Sequence, residues 1–132
     1  TRYLDTRAGA GLYPEGDSLW PVLTLEATAD GILDAALLVV YESRIRPAEK
    51  QFQPWSDGQL AKITRALDAI EARWLPVLHG TLNAAQIAVG AALDYVDFRL
   101  PGLAWRADHP GLAAWHAAFS ARPSMQATVP KG

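Results

Sequence analysis

The sequence predicts an all-α domain: a helical bundle of four main helices with one unusually long first helix. Two observations carry this. Apolar residues recur at spacings of three and four through most of the chain, and Pro and Gly gather at a few points that cut it into helix-length pieces. No convincing strand pattern interrupts them. With 132 residues, half of them hydrophobic and a fifth charged, the chain has the size and composition of one globular domain with a genuine core.

The segment Thr1–Asp5 reads as the last turn of a helix. It enters a linker punctuated by Gly9, Gly11, Pro14 and Gly16. The first long helix should start at Asp17 or Ser18, either of which can cap free N–H groups, with Pro21 in or near its first turn. Leu25, Ala29, Ile32, Ala36, Val39 and Val40 form its apolar stripe, Leu33, Leu37 and Tyr41 widen it, and Pro47 stops it. A helix of roughly 28 residues would be about 42 Å long.

After a loop holding Pro54, Ser56 can cap a second helix. Its stripe of Leu60, Ile63, Leu67, Ile70, Trp74 and Val77 is the cleanest in the chain,. Pro76 should bend or weaken its last turn, and His79-Gly80 should end it, with Gly80 in the left-handed conformation. Asn83 and Gln86 then have the spacing of a capping box, flanked by Leu82 and Ile87 at the positions of a hydrophobic staple. The helix that follows, to Phe98, is apolar nearly all round and belongs in the middle of the bundle. A fourth helix opens near Asp108–Pro110, with Asp108 or His109 as cap and Leu112, Trp115 and Phe119 facing inward, and Arg122-Pro123 closes it.

Twelve basic and fourteen acidic residues leave a formal charge of -2 without a basic patch, so a nucleic-acid partner is not expected. The absence of cysteine excludes a disulfide framework, a thiolate metal site and a cysteine nucleophile,. His79, His109 and His116 have no metal-ligand spacing, and no metal site is expected. Asp94 and Asp97, three apart on a helix, lack a third ligand, so pairing with Arg99 or backbone donors is the simpler reading. His79 reads as a helix C-terminal residue, His109 as a cap, His116 as a helix-surface residue, and Trp74 and Trp115 as core. No stretch reaches the roughly 18 apolar residues of a membrane span and no signal peptide is visible. A cytoplasmic protein without a membrane partner is therefore expected.

Three segments resemble the glutathione S-transferases. Tyr3-Leu4-Asp5 followed by Leu12-Tyr13-Pro14 is similar to the end of that family's thioredoxin-like domain and the linker leaving it. Asp30-Gly31-Ile32-Leu33-Asp34 is similar to its long helix. The capping box through Leu93-Asp94-Tyr95-Val96-Asp97-Phe98-Arg99, then Pro110, Trp115, Phe119 and Arg122-Pro123-Ser124, resembles the remainder of its C-terminal domain. The resemblance spans nearly the whole chain in order and spacing. It divides the chain into residues 1–16, the end of the thioredoxin-like domain and linker, and 17–132, the C-terminal-like helical domain. One departure is the neutral Asn83–Gln86 pair, where the family usually has Ser or Thr with Asp. This gives up a charge–dipole contribution of a few tenths to about 1 kcal/mol.

The resemblance implies glutathione as co-substrate of a parent protein, a small hydrophobic electrophile as second substrate, and a homodimer. No cofactor is expected on this chain alone. It places the thiol-activating residue in the thioredoxin-like domain, so no catalytic residue is assigned here and the chain alone is expected to be inactive. By similarity to pi-class transferases, Asp34 matches a carboxylate that reaches across the dimer to the γ-glutamyl ammonium of glutathione, with Asp30 one turn earlier as the fallback. Val40, Tyr41 and Arg44 lie where the family lines its hydrophobic-substrate pocket. Read from the residues alone, Asp34 is one charge on a solvated face and Tyr41 a core aromatic. A non-catalytic protein-interaction module of the same helical type is the alternative function.

Overall fold

The structure is a computed structural model that describes residues 1–130. Helix α1 (Arg2–Ala8) and the linker lead through a 3₁₀ turn (Gly16–Ser18) into α2 (Leu19–Arg44), 26 residues long. Helix α3 (Gln53–Ala69) continues without a break through a π turn (Ile70–Trp74) into α4 (Leu75–Leu78). Helices α5 (Ala84–Arg99), α6 (Pro110–Ser120) and the short α7 (Pro123–Ala127) complete the chain. Helices α2, α3–α4, α5 and α6 are the four main helices of the expected bundle, and no strand occurs among the described residues.

Helix α5 lies at the centre, packed chiefly on α2, which also packs on α3. Leu25 and Ile32 of α2, Ile63 and Leu67 of α3, Val89, Leu93 and Val96 of α5, and Leu112 of α6 are fully buried together. The all-round apolar pattern of α5 is thus used as expected. Gly90 brings α6 close: a Cβ there would meet the Phe119 ring at 2.9 Å and Met125 at 3.2 Å. Trp115 stacks on Phe119 with ring centroids 4.8 Å apart.

The capping box forms as predicted. Gln86 N–H donates to Asn83 Oδ1 at 3.2 Å and Asn83 N–H donates to Gln86 Oε1 at 3.3 Å. The Gln86 amide also donates to the carbonyls of Leu78 (2.9 Å) and Gly80 (3.0 Å). Leu78 accepts a further bond from the Trp115 indole at 2.9 Å. A carboxylate in place of Gln86 could make none of these donations, so the neutral pair offsets its lost charge by serving two helix ends. It also explains why Gly80 departs from expectation. His79 is the C-cap, but the positive-φ residues among those described are Gly9, Gly11 and Gly16, not Gly80. Side-chain donors satisfy the end of α4, and a left-handed turn is not required.

Other helix starts also differ from the sequence reading, and at α3 and α6 distant carboxylates do the capping. Ser18 precedes α2 with helical φ and ψ and no side-chain cap bond, because the 3₁₀ turn winds directly into the helix. A capping side chain needs an extended backbone at its own residue. Helix α3 starts at Gln53, so Pro54 lies in its first turn and Ser56 is inside the helix. The Phe52 N–H at that end donates to Glu42 Oε1 at 2.7 Å. At α6, His109 occupies the N-cap position but its side chain makes no cap bond. Glu71 caps instead, accepting from Gly111 N–H (2.9 Å) and Leu112 N–H (2.7 Å). Pro76 acts further upstream than expected. Its ring crowds the carbonyl four residues earlier, and the backbone responds with the π turn ahead of it,.

The histidines and aspartates of α5 and α6 are also corrected. His116 is buried, not on the surface, and its Nε2 lies 2.8 Å from Asp94 Oδ1. Asp97 pairs with Arg106 and accepts from the Trp105 indole at 2.9 Å. Arg99, the expected partner, stacks instead on Phe98. Burial works against the Asp97 charge, but the Arg106 guanidinium and the indole outweigh it and lower its pKa. Trp115 is core as predicted, and Trp74 is half-buried against the core.

His109 is a clasp between the loop ahead of α6 and α3. Its Nδ1 lies 2.6 Å from the Trp105 carbonyl and its Nε2 2.9 Å from Asp68 Oδ1. Acceptors at both ring nitrogens suit the imidazolium, which alone donates from both. Burial opposes that charge, but the Trp105 carbonyl and Asp68 prevail and raise the pKa above 6.5. Asp68 is largely exposed, so solvent weakens its attraction.

Four outcomes follow from this packing. Gln86→Glu, an isosteric change that turns two donations into carboxylate–carbonyl repulsions, should cost roughly 1–3 kcal/mol. Asn83→Ala should cost about 0.5–2 kcal/mol. Chemical denaturation measures both, and an unchanged midpoint would show the hub dispensable. Gly90→Ala should lose about 1–3 kcal/mol by overpacking against Phe119, and recovery in the double variant with Phe119→Leu checks that cause. For His109 the folded pKa is raised, so its contribution is complete below the unfolded value of about 6.5 and fades as pH rises through the folded value. His109→Asn should therefore lower the thermal midpoint more at about pH 6 than at about pH 9. Equal losses at both would mean that the ring is held neutral.

Candidate functional site

Helix α2 is long enough to serve two surfaces. Its inner face, built on Val22, Leu25, Ala29, Ile32 and Ala36, is buried in the core. The outer face can be mapped at about 100° per residue. Trp20, Ala27, Gly31, Leu38 and Ile45 fall in one strip, and all are exposed, Trp20 at 65% and Ile45 at 67%. Val40 lies on the inner face beside Val22, Arg44 follows on the flank, and Tyr41 falls next to the strip, about 60° from its middle,. Asp30 and Asp34, roughly 40° apart on this wheel, stand on either side of the Tyr41 direction, beside the strip.

The structure thus puts both predicted carboxylates on the outward face, and among the described residues neither takes part in a side-chain hydrogen bond or ion pair. Tyr41 and Arg44 are exposed, whereas Val40 is buried. Tyr41 is about 10 Å along the axis from Asp34, at 1.5 Å per residue. The five residues therefore share one helix without meeting in one pocket. The capping residues Asn83 and Gln86 are buried at the start of α5, where they act structurally.

At the C-terminal end of α2 the outer face deepens into an open groove of about 460 Å³, walled by Leu38, Tyr41, Ile45, Pro47 and Trp55, with Glu42 and Arg46 at one side. Of the predicted site residues Tyr41 alone lines it. Glu42 is spent on structure: Oε2 accepts from Arg46 Nε at 2.7 Å while Oε1 caps α3. Their charges offset each other, so the groove is chemically apolar. Leu38, Ile45 and Trp55 were missed as site residues. Leu38, Tyr41 and Ile45 do recur at spacings of three and four, out of phase with the core stripe, and that was the available signal. Trp55 joins them only because α3 begins before Pro54 and turns it outward.

Among the described residues no cluster of His, Asp or Glu could hold a metal ion. No helix among them is long and apolar enough to cross a membrane.

Comparison with known proteins puts this geometry in a family. Residues 53–118 match the family model described as glutathione S-transferase, C-terminal domain. The uncharacterised GST-like protein YibF of Escherichia coli K12 is 36% identical over 111 residues, which cover 83% of this chain and 54% of that protein. A glutathione transferase family member from Pseudomonas fluorescens Pf-5, solved with bound glutathione, superposes with a TM-score of 0.88 at 50% identity, covering 90% of this chain and 58% of that one. A glutathione S-transferase from Methylobacillus flagellatus KT, also with glutathione bound, gives 0.90 at 34% identity, covering 98% and 66%. The chain spans about half the length of the curated relative it matches and about three-fifths of the Pseudomonas structure. In sequence and in fold, this chain belongs to the glutathione S-transferase family, as the C-terminal helical domain.

Proposed function

We propose that this chain is the helical half of a glutathione transferase that conjugates glutathione to a small hydrophobic electrophile. The observation that carries the reading is the 50% identity to a Pseudomonas transferase family member solved with S-(propanoic acid)-glutathione, a substituted glutathione. On this reading residues 1–16 are the end of a thioredoxin-like domain, which supplies the group that activates the glutathione thiol. A thiol needs a hydrogen-bond donor or positive charge aimed at sulfur to become a thiolate at neutral pH. The helical domain contributes binding.

The exposed residues of α2 divide that work. Tyr41 and Arg44, backed by Val40, form the wall toward the electrophile: an aromatic face for an apolar body and a guanidinium for an anionic substituent. The strip of Trp20, Leu38 and Ile45, with small Ala27 and Gly31 between, faces a second subunit in a homodimer. Asp34, next to that strip, accepts charge-assisted hydrogen bonds from the γ-glutamyl ammonium, with Asp30 beside it. The interaction-module reading uses the same apolar strip without the glutathione site.

A kinetic experiment on the parent protein separates the two. Asp34→Asn keeps the shape and removes the charge, so the KM for glutathione should rise on the order of tenfold with kcat little changed. The 132-residue chain assayed alone with glutathione and a reactive aryl halide should show no turnover above the uncatalysed rate. An unaltered KM removes Asp34 from the site. A parent protein without transferase activity favours the interaction module.

A further inference from the structure

Asp5 draws its hydrogen-bond donors from the linker, not from its own helix. It lies in the first turn of the seven-residue helix α1, where a negative charge suits the helix dipole. It is also buried, and among the described residues no cation pairs with it. A carboxylate held out of water needs hydrogen-bond donors, and here they are backbone amides. Leu12 N–H donates to Oδ1 at 2.8 Å and Tyr13 N–H donates to Oδ2 at 3.4 Å. The main-chain carbonyl of Asp5 accepts as well, from the Gly9 N–H and from Ala10 N–H at 3.3 Å. Gly9 and Gly11 have φ of 61° and 71°, a region other residues enter at a cost, and these turns bring the linker back to Asp5.

The gripped linker is itself fixed to the two central helices. The Leu12 carbonyl accepts from the N–H of Ala84, the first residue of α5, at 3.0 Å. The Tyr13 hydroxyl donates to Glu26 of α2 at 2.6 Å. Burial, with that acceptor beside it, pushes the phenol up to about 12, so the bond persists across the physiological range. The far side of α1 is bare: Tyr3 and Leu4 are 73% and 68% exposed. Asp5 is therefore where α1 is tied to a linker that the bundle already holds.

We propose that Asp5 is a latch that sets the angle between α1, with any domain continuous with it, and the helical bundle. Releasing it frees α1 and the linker while the bundle stays folded. The inference concerns this chain's own linker and stands whether or not the parent protein acts on glutathione.

Hydrogen exchange on the 132-residue chain tests it, with Asp5→Asn and the harsher Asp5→Ala. The amides of Leu12 and Tyr13 report the latch, and those of Val89 and Leu93 report the bundle. Tryptic cleavage after Arg7 reports α1, with cleavage after Lys50 as internal control. The expected result is exchange at Leu12 and Tyr13 faster on the order of tenfold, faster cleavage after Arg7, and no change at Val89, Leu93 or Lys50. Unchanged protection at Leu12 and Tyr13 overturns the proposal. So does a loss of protection shared equally by Val89 and Leu93, because Asp5 would then support the whole bundle.

Discussion

The first turn of α5 opens inside the molecule, where its amide hydrogens have no water to turn to and must be satisfied by protein. Asn83 takes the Gln86 amide, the Leu12 carbonyl takes that of Ala84, and the Gln86 side chain returns to Asn83. The same side chain donates to the carbonyls that end α4, so one buried amide group joins the start of one helix to the end of another. The linker enters this junction from a third direction. Because α5 is the element on which α2 and α6 pack, the position of each depends on where this turn is fixed. The choice of Gln over an acid follows from the same geometry: a carboxylate can accept, but the α4 carbonyls require a donor.

Carboxylates then do at a distance what local caps do elsewhere. Glu42 reaches the start of α3, Glu71 the start of α6, and Asp5 the linker. Each binds backbone amides on another element, so each is a tertiary contact as well as a cap. Gly111 shows how close that approach is, since a Cβ there would lie 2.8 Å from Glu71 Oε1 and 2.7 Å from Leu75. The connections between helices are held by such bonds to buried or half-buried acids. With their acids used in this way, they can stay short without a capping residue of their own.

The outer face of α2 lies outside this frame, and Asp30 and Asp34 on it take part in no side-chain hydrogen bond or ion pair among the described residues. The inner face binds the helix to the core along its length, so the outer residues sit on a rigid support. That suits a binding wall, where side chains must hold position. The apolar strip with Trp20 and Ile45 and the carboxylates of Asp30 and Asp34 differ in chemistry but share this support.

The sequence by itself determined the helices with strong periodicity, the central place of α5, its capping box and the family. These depend on residues within one or two turns of each other, and apolar spacing or a Ser/Asn-to-Gln interval exposes them. It did not determine the starts of α3 and α6, the roles of His109 and His116 or the partner of Asp97, because those bonds join residues up to 41 positions apart. The outer groove shows the same division. Tyr41 was legible as an aromatic on the long helix, but its neighbour Trp55 belongs to another helix, whose entry point Glu42 sets. Local spacing fixes which face a residue occupies; only the packed chain fixes what lies opposite it, since a buried acid or amide takes whatever donor or acceptor the fold brings within about 3 Å.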